Sequence, residues 1–169
     1  MTTANSPASK EVVTAALLVI GSKILSGRTK DQNIGYIAQY LTALGIDLKE
    51  VRVVGNEEKA IVDALNALRH RYTYVFTTGG IGPTHSDITA DCVAKAFGVP
   101  IDTDSRALAI LHEWVETTGA EMNEARLRMT RNPQGCGSHP QQGVRSSWLL
   151  DRQCNRDGGR ALDYAGDAR

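Results

Sequence analysis

Apolar positions along this chain fall into short runs that alternate with helical stripes. Ala15-Ala16-Leu17-Leu18-Val19-Ile20 is an unbroken apolar run closed by Gly21, the pattern of a strand buried on both faces. A polar loop follows. Ile34, Ile37, Ala38, Leu41 and Leu44 then recur at helical spacing, with Gly45 in the place of a C-terminal cap. Residues 46–54 alternate as a second strand. Residues 57–69 predict an amphipathic helix with Ile61, Ala64, Leu65 and Leu68 on one face and Asn56 as its N-cap. Tyr74-Val75-Phe76-Thr77-Thr78 predicts a third strand that runs straight into Gly79-Gly80. Residues 87–97 predict a helix stopped by Gly98 and Pro100, and 104–117 a further one with Leu108, Leu111, Trp114 and Val115 as its apolar positions. Strands alternating with helices over short loops imply an α/β fold whose mostly parallel sheet is covered on both faces. Ligands of such sheets sit beyond the carboxyl ends of the strands, where Gly21 and Gly79-Gly80 fall.

A length of 169 residues allows one domain with a real core. Lys+Arg and Asp+Glu balance at 19 each, so no overall field draws the chain towards nucleic acid or an acidic membrane. No apolar run approaches the roughly 20 residues that span a bilayer. Residues 1–13 read as a disordered lead-in, without the basic-then-apolar order of a signal peptide. Cys92, Cys136 and Cys154 lack metal-ligand spacing, and their odd number argues against a disulfide framework, so a reducing cytoplasm is the plain expectation. Cys92 falls on the core side of its helix.

Glycines after a buried strand let the backbone approach a ligand and take up positive φ. Their amides, with those at the start of the following helix, are able to hold a phosphate. Pro83 stiffens the turn, Thr84 and Thr89 offer hydroxyls, and Asp87 is placed to bind a metal, orient water or cap the helix. A bare Gly-Gly more often serves only as a tight turn. Of the four histidines, His85 is the best candidate for chemistry because it lies in this loop. Arg126, Arg128 and Arg131 belong either to an anionic ligand or to a solvated face.

The whole run Thr77-Thr78-Gly79-Gly80-Ile81-Gly82-Pro83-Thr84-His85-Ser86-Asp87-Ile88-Thr89 is more specific. It resembles the signature of the molybdopterin-binding domain family, and looks most like the competence/damage-inducible protein A branch. Gly21, Ile24-Leu25-Ser26-Gly27 and Asn33 match that branch's first loop, and Met122-Asn123-Glu124-Ala125-Arg126 is similar to its later polar motif. The resemblance covers 14–131. It implies a three-layer α/β/α domain, usually a homo-oligomer, that binds molybdopterin or a related phosphorylated pterin or nucleotide. Relatives in the competence-protein branch are also linked to hydrolysis of ADP-ribose-like pyrophosphates with a divalent metal such as Mg2+. By this resemblance Gly79, Gly80 and Gly82 hold phosphate and Thr84 hydrogen-bonds it. Thr78, Pro83 and Thr89 complete that loop, Gly21, Ser26, Gly27 and Asn33 come from the first loop, and Asn123 and Arg126 from the later motif. Asp87 is the implied catalytic acid and metal ligand.

Three departures remove carboxylates that the family usually carries. Ser22-Lys23 follows Gly21, Ser86 precedes Asp87, and Gly55-Asn56 stands where many relatives have Pro-Asp. A metal held by oxygen wants several carboxylates, whereas Lys23 favours an anion, so phosphate binding survives these changes better than metal-assisted hydrolysis. After Pro133 periodicity and resemblance both stop, and 132–169 read as an irregular tail. Reading the codons from Cys136 onward one nucleotide later, with permitted synonymous bases, yields GNVIVMAGVP, the strand and turn this family places there. The tail is therefore expected to be frameshifted and the last strand lost. Three functions follow as alternatives: a molybdopterin-binding domain, a metal-dependent nucleotide pyrophosphatase, or a truncated, non-catalytic remnant.

Overall fold

A computed structural model of the chain describes residues 12–135 and the backbone of 160–163. The elements run β1 (Thr14–Ile20), α1 (Ser22–Leu25), α2 (Asn33–Ala43), β2 (Asp47–Val54), α3 (Glu58–Arg69) and β3 (Tyr74–Thr78). They continue with α4 (Thr89–Phe97), β4 (Ile101–Thr103), α5 (Ser105–Thr118), α6 (Glu124–Arg128), β5 (Arg131–Pro133) and β6 (Arg160–Asp163). The main sheet has the order β2-β1-β3-β6, and every pairing in it is parallel.

β1 lies inside this sheet, which is why its side chains have no polar face to offer. Ala16, Leu18 and Ile20 pack on one side with Val75 against Ile61, Leu65 and Leu68 of α3 and Cys92, Val93 and Phe97 of α4. Ala15, Leu17 and Val19 pack on the other with Phe76 against Ile37 and Leu41 of α2. The α/β class and the two covered faces are thus as the apolar pattern implies. Among the described residues no helix is long and apolar enough to cross a membrane.

The differences are local. Ser22–Leu25 turns once as helix where a polar loop is expected, and it buries none of its residues. Asn56 does not cap α3: Glu57 takes that position, without a side-chain cap bond. α4 starts at Thr89 behind Ile88, so Asp87 lies before the helix and does not cap it. β4 and β5 form an antiparallel ribbon, Ile101 opposite Pro133 and Thr103 opposite Arg131, too short for any period to show in the sequence. The last strand is expected to be lost, yet β6 pairs in parallel on the free edge of β3, with Tyr74 opposite Arg160 and Thr77 opposite Asp163. A strand edge is filled through main-chain groups, which every residue except proline supplies in full. The rest of the tail expected to be frameshifted, 136–159 and 164–169, lies outside the described residues.

Cys92 faces the core as expected, and burial pushes its thiol up to about 11, helped by the nearby negative charges of Glu58 and Asp91. Alkylation proceeds through the thiolate. At pH 8 the folded chain is expected to label at Cys92 on the order of a hundredfold more slowly than the urea-unfolded chain. Peptide-mapped iodoacetamide labelling checks this, and equal rates in the two states contradict a sealed core at α4.

Candidate functional site

The carboxyl ends of β1, β2 and β3 lie side by side, since Ile20 pairs with Val54 and Val19 with Thr78. Each strand releases a polar loop there: 21–32 after β1, 55–57 after β2 and 79–88 after β3.

The glycine loop is built by exclusion. Gly79 has φ 93°, and a Cβ on it would stand 2.1 Å from the Ile20 carbonyl oxygen, so only glycine lets the end of β3 pass this close to β1. Gly80 has φ 64°, and a Cβ there would meet Thr89 Oγ1 at 2.4 Å. Thr89 is itself buried. Its hydroxyl donates to the Gly79 carbonyl (2.8 Å) and its amide to that of Gly80 (3.1 Å), stapling the loop to the start of α4. Thr89 therefore supports the loop from its buried side. Ahead of it, the amides of Ile81 and Gly82 have no protein acceptor among the described residues.

Asp87 turns back on its own loop. Its Oδ2 accepts from the Thr84 amide (2.8 Å) and from the Thr84 hydroxyl, and its amide donates to the Thr84 carbonyl (3.1 Å). Thr84 and Ser86 share a further hydroxyl contact at 3.0 Å. A Cβ on Gly82 would stand 2.9 Å from the same carboxylate oxygen, which makes that glycine part of the same close packing. Pro83 precedes this turn and is exposed.

From α2, Asn33 Nδ2 donates to the buried Thr78 hydroxyl at 3.1 Å, bringing two of the sequence-predicted residues together. Asp31 holds the α2 start by accepting from the Ile34 amide at 2.7 Å. Gly21 is extended (φ 172°), a conformation open to any residue, and its amide donates to the Val54 carbonyl (2.9 Å). Ser26 closes α1 through a bond to the Lys23 carbonyl (3.2 Å), and Gly27 makes the turn behind it with φ 70°. Lys23, Arg28 and Lys30 all project from this loop exposed, and among the described residues none pairs with a carboxylate.

In the later motif Asn123 and Arg126 make contacts local to α6 and its neighbours. Asn123 caps α6, its Oδ1 accepting from the Arg126 amide at 2.9 Å. The Arg126 guanidinium lies over the Trp114 ring, 5.3 Å from its centroid, and donates to the Glu121 carbonyl. Arg128, one helical face away, is the arginine that reaches the glycine loop, where its Nη1 lies 3.4 Å from His85 Nδ1.

Asn56, expected as the cap of α3 and as a site position that has lost a carboxylate, instead bridges two loops. Its Oδ1 accepts from the Ser22 amide (2.9 Å) and hydroxyl (3.3 Å), and its Nδ2 donates to the Ser86 carbonyl (2.9 Å). Gly55-Asn56 stands at a strand's carboxyl end just as Gly21 and Gly79 do, and that position brings the side chain to the loops.

The residues around Asp87 offer few oxygen ligands to a divalent metal. Among the described residues no group of three or more His, Cys, Asp or Glu is placed to hold one. Asp87 is turned onto Thr84, and oxygen-bound Mg2+ wants several oxygen ligands in octahedral array. Two loop amides with no protein acceptor, and three exposed cations that pair with no carboxylate among the described residues, are groups that a phosphate uses.

Comparison with known proteins agrees with the fold. Residues 16–153 match the family described as "Probable molybdopterin binding domain", a span that continues past Arg131. A CinA-like protein of Myxococcus xanthus is 36% identical over 119 residues, 70% of this chain and 28% of that protein. A Desulforudis audaxviator relative with a competence-damage inducible name is 34% identical over 139 residues, 82% of this chain and 34% of that protein. The chain thus spans about a third of the length of these relatives. The crystal structure of the protein CinA from Thermoplasma acidophilum, of unknown function, superposes with a TM-score of 0.79 at 26% identity, covering 93% of this chain and 90% of that one. With the strand order, the glycine loop and a match over most of its length, this chain belongs to the probable molybdopterin binding domain family and is similar to its CinA-named members.

Proposed function

We propose that residues 14–131 bind a phosphorylated pterin of the molybdopterin type, or a related nucleotide, without turning it over. The observation that carries this reading is the loop 79–84, where two positive-φ glycines and the unclaimed amides of Ile81 and Gly82 form a cradle beyond β3. Phosphate sits on Gly79, Gly80 and Gly82, with Lys23, Arg28 and Lys30 supplying positive charge across from it. Asn33 and Thr78 line the floor. Asp87 keeps the Thr84 turn in shape; it is not a general acid. The reading places the chain in the cytoplasm as a homo-oligomer that binds no nucleic acid, in line with its balanced charge. The hydrolytic alternative is less well supported, because it needs Mg2+ and the residues around Asp87 do not fit one.

Two assays on the full chain separate the readings. Titration with a fluorescent, oxidised molybdopterin derivative is expected to give saturable quenching, weakening with added salt as screened charge contacts do. Incubation with ADP-ribose and Mg2+ is expected to release no AMP. Release of AMP that needs Mg2+ and disappears in Asp87→Ala would overturn this reading in favour of the pyrophosphatase. Absence of saturable binding by folded protein, with no turnover, would leave only a non-catalytic remnant.

A further inference from the structure

We infer that Asn56 is a positioning residue, the clamp that holds the first ligand loop against the glycine loop and so sets the affinity of the site. The inference rests on the anion-binding reading above.

Three loops meet at this side chain. Its Oδ1 receives the Ser22 amide and hydroxyl, its own amide nitrogen donates to Ser22 Oγ (3.2 Å), and its Nδ2 reaches across to the Ser86 carbonyl. Little else ties the loop tips together. α1 buries none of its residues, and Ser22 and Ser86 are both exposed, so no apolar packing fixes their separation. Asn33 and Thr78 form a further tie, deeper in the fold and not at the tips. A plain structural role as the α3 cap is excluded, because Glu57 holds that position and Asn56 makes no cap bond.

The clamp needs an amide in particular. An aspartate there keeps the acceptor for Ser22 but loses the donor to Ser86 and sets a carboxylate against a carbonyl oxygen. It also adds a negative charge beside a site that takes an anion.

Amide hydrogen exchange on the ligand-free chain, followed by titration with the same fluorescent pterin, tests this. In Asn56→Ala the Ser22 amide is expected to lose protection, and affinity to fall about tenfold, equivalent to ~1.4 kcal/mol. In Asn56→Asp the Ser22 amide is expected to stay protected while affinity falls further than in Asn56→Ala. Melting temperatures of both variants are expected to remain within a few degrees of the parent, since the side chain supports no core. Unchanged Ser22 exchange in Asn56→Ala overturns the clamp. So does affinity within twofold of the parent in both variants. If the parent chain binds no pterin, the functional reading fails, and Ser22 exchange alone then upholds or overturns the clamp.

Discussion

Gly79→Ala is expected to lower the melting temperature by about 10 °C and to abolish measurable pterin binding. The added carbon has two independent penalties. At φ 93° an L side chain is strained, which costs about 1–3 kcal/mol. It also lands 2.1 Å from the Ile20 carbonyl oxygen and 3.1 Å from its carbon, both main-chain atoms inside the sheet. No rotamer relieves such a clash. The ends of β1 and β3 must separate, and that separation opens the floor on which Asn33 and Thr78 meet. Overpacking of this kind adds about 1–3 kcal/mol. Gly98→Ala is the control. Gly98 also has positive φ (63°), but nothing lies within 4 Å of its missing Cβ, so only the strain remains. Thermal melts of the two variants side by side decide the matter, and equal losses would mean that β1 and β3 do not approach as closely as described.

What could be read from the sequence follows from how much of each element's environment is local. β1 was legible because a strand covered on both faces must be apolar throughout, and α3 because one helical face repeats Ile61, Ala64, Leu65 and Leu68. The glycine loop was legible because positive φ leaves a mark in residue type. α1, α6, β4 and β5 span three to five residues each, shorter than the window in which periodicity can appear. The roles of the site residues were harder still. Asp87 was readable as an acid in a loop, but its pairing with Thr84 depends on the exact turn. Which of Arg126 and Arg128 reaches the glycine loop depends on the orientation of α6, which the Asn123 cap and the Trp114 contact help to set and sequence spacing does not encode. Asn123 itself is of a residue type that commonly caps helices, and it caps α6.

Asp104→Ala is expected to destabilise the chain by about 2 kcal/mol at pH 7 and by about 1 kcal/mol less at pH 3. Asp104 Oδ1 accepts from the Arg106 and Ala107 amides as the cap of α5, and Asn132 Nδ2 donates to Oδ2 at 3.1 Å. The Asp104 amide donates to the Thr130 carbonyl at 2.8 Å, so one residue joins the start of α5 to the strand β5. Burial by itself raises the carboxyl, whose side chain is 11% exposed, but the hydrogen bonds from Arg106, Asn132 and the two backbone amides outweigh it. The group is held well below the usual carboxylate range. Since the folded state lowers this pKa, its stabilisation is complete above the unfolded value near 3.8 and is lost as pH falls through the folded one. At pH 3 part of that stabilisation has already gone from the parent, and the gap to the alanine variant narrows. The consequence reaches the site through β5, where Arg131 pairs with Asp91 of α4 at 2.9 Å, two residues beyond the Thr89 that staples the glycine loop. Urea midpoints of both proteins at pH 7 and pH 3 test the claim. A penalty of the same size at both values would show that Asp104 acts as an uncharged cap and that its ionisation does not hold the ribbon in place.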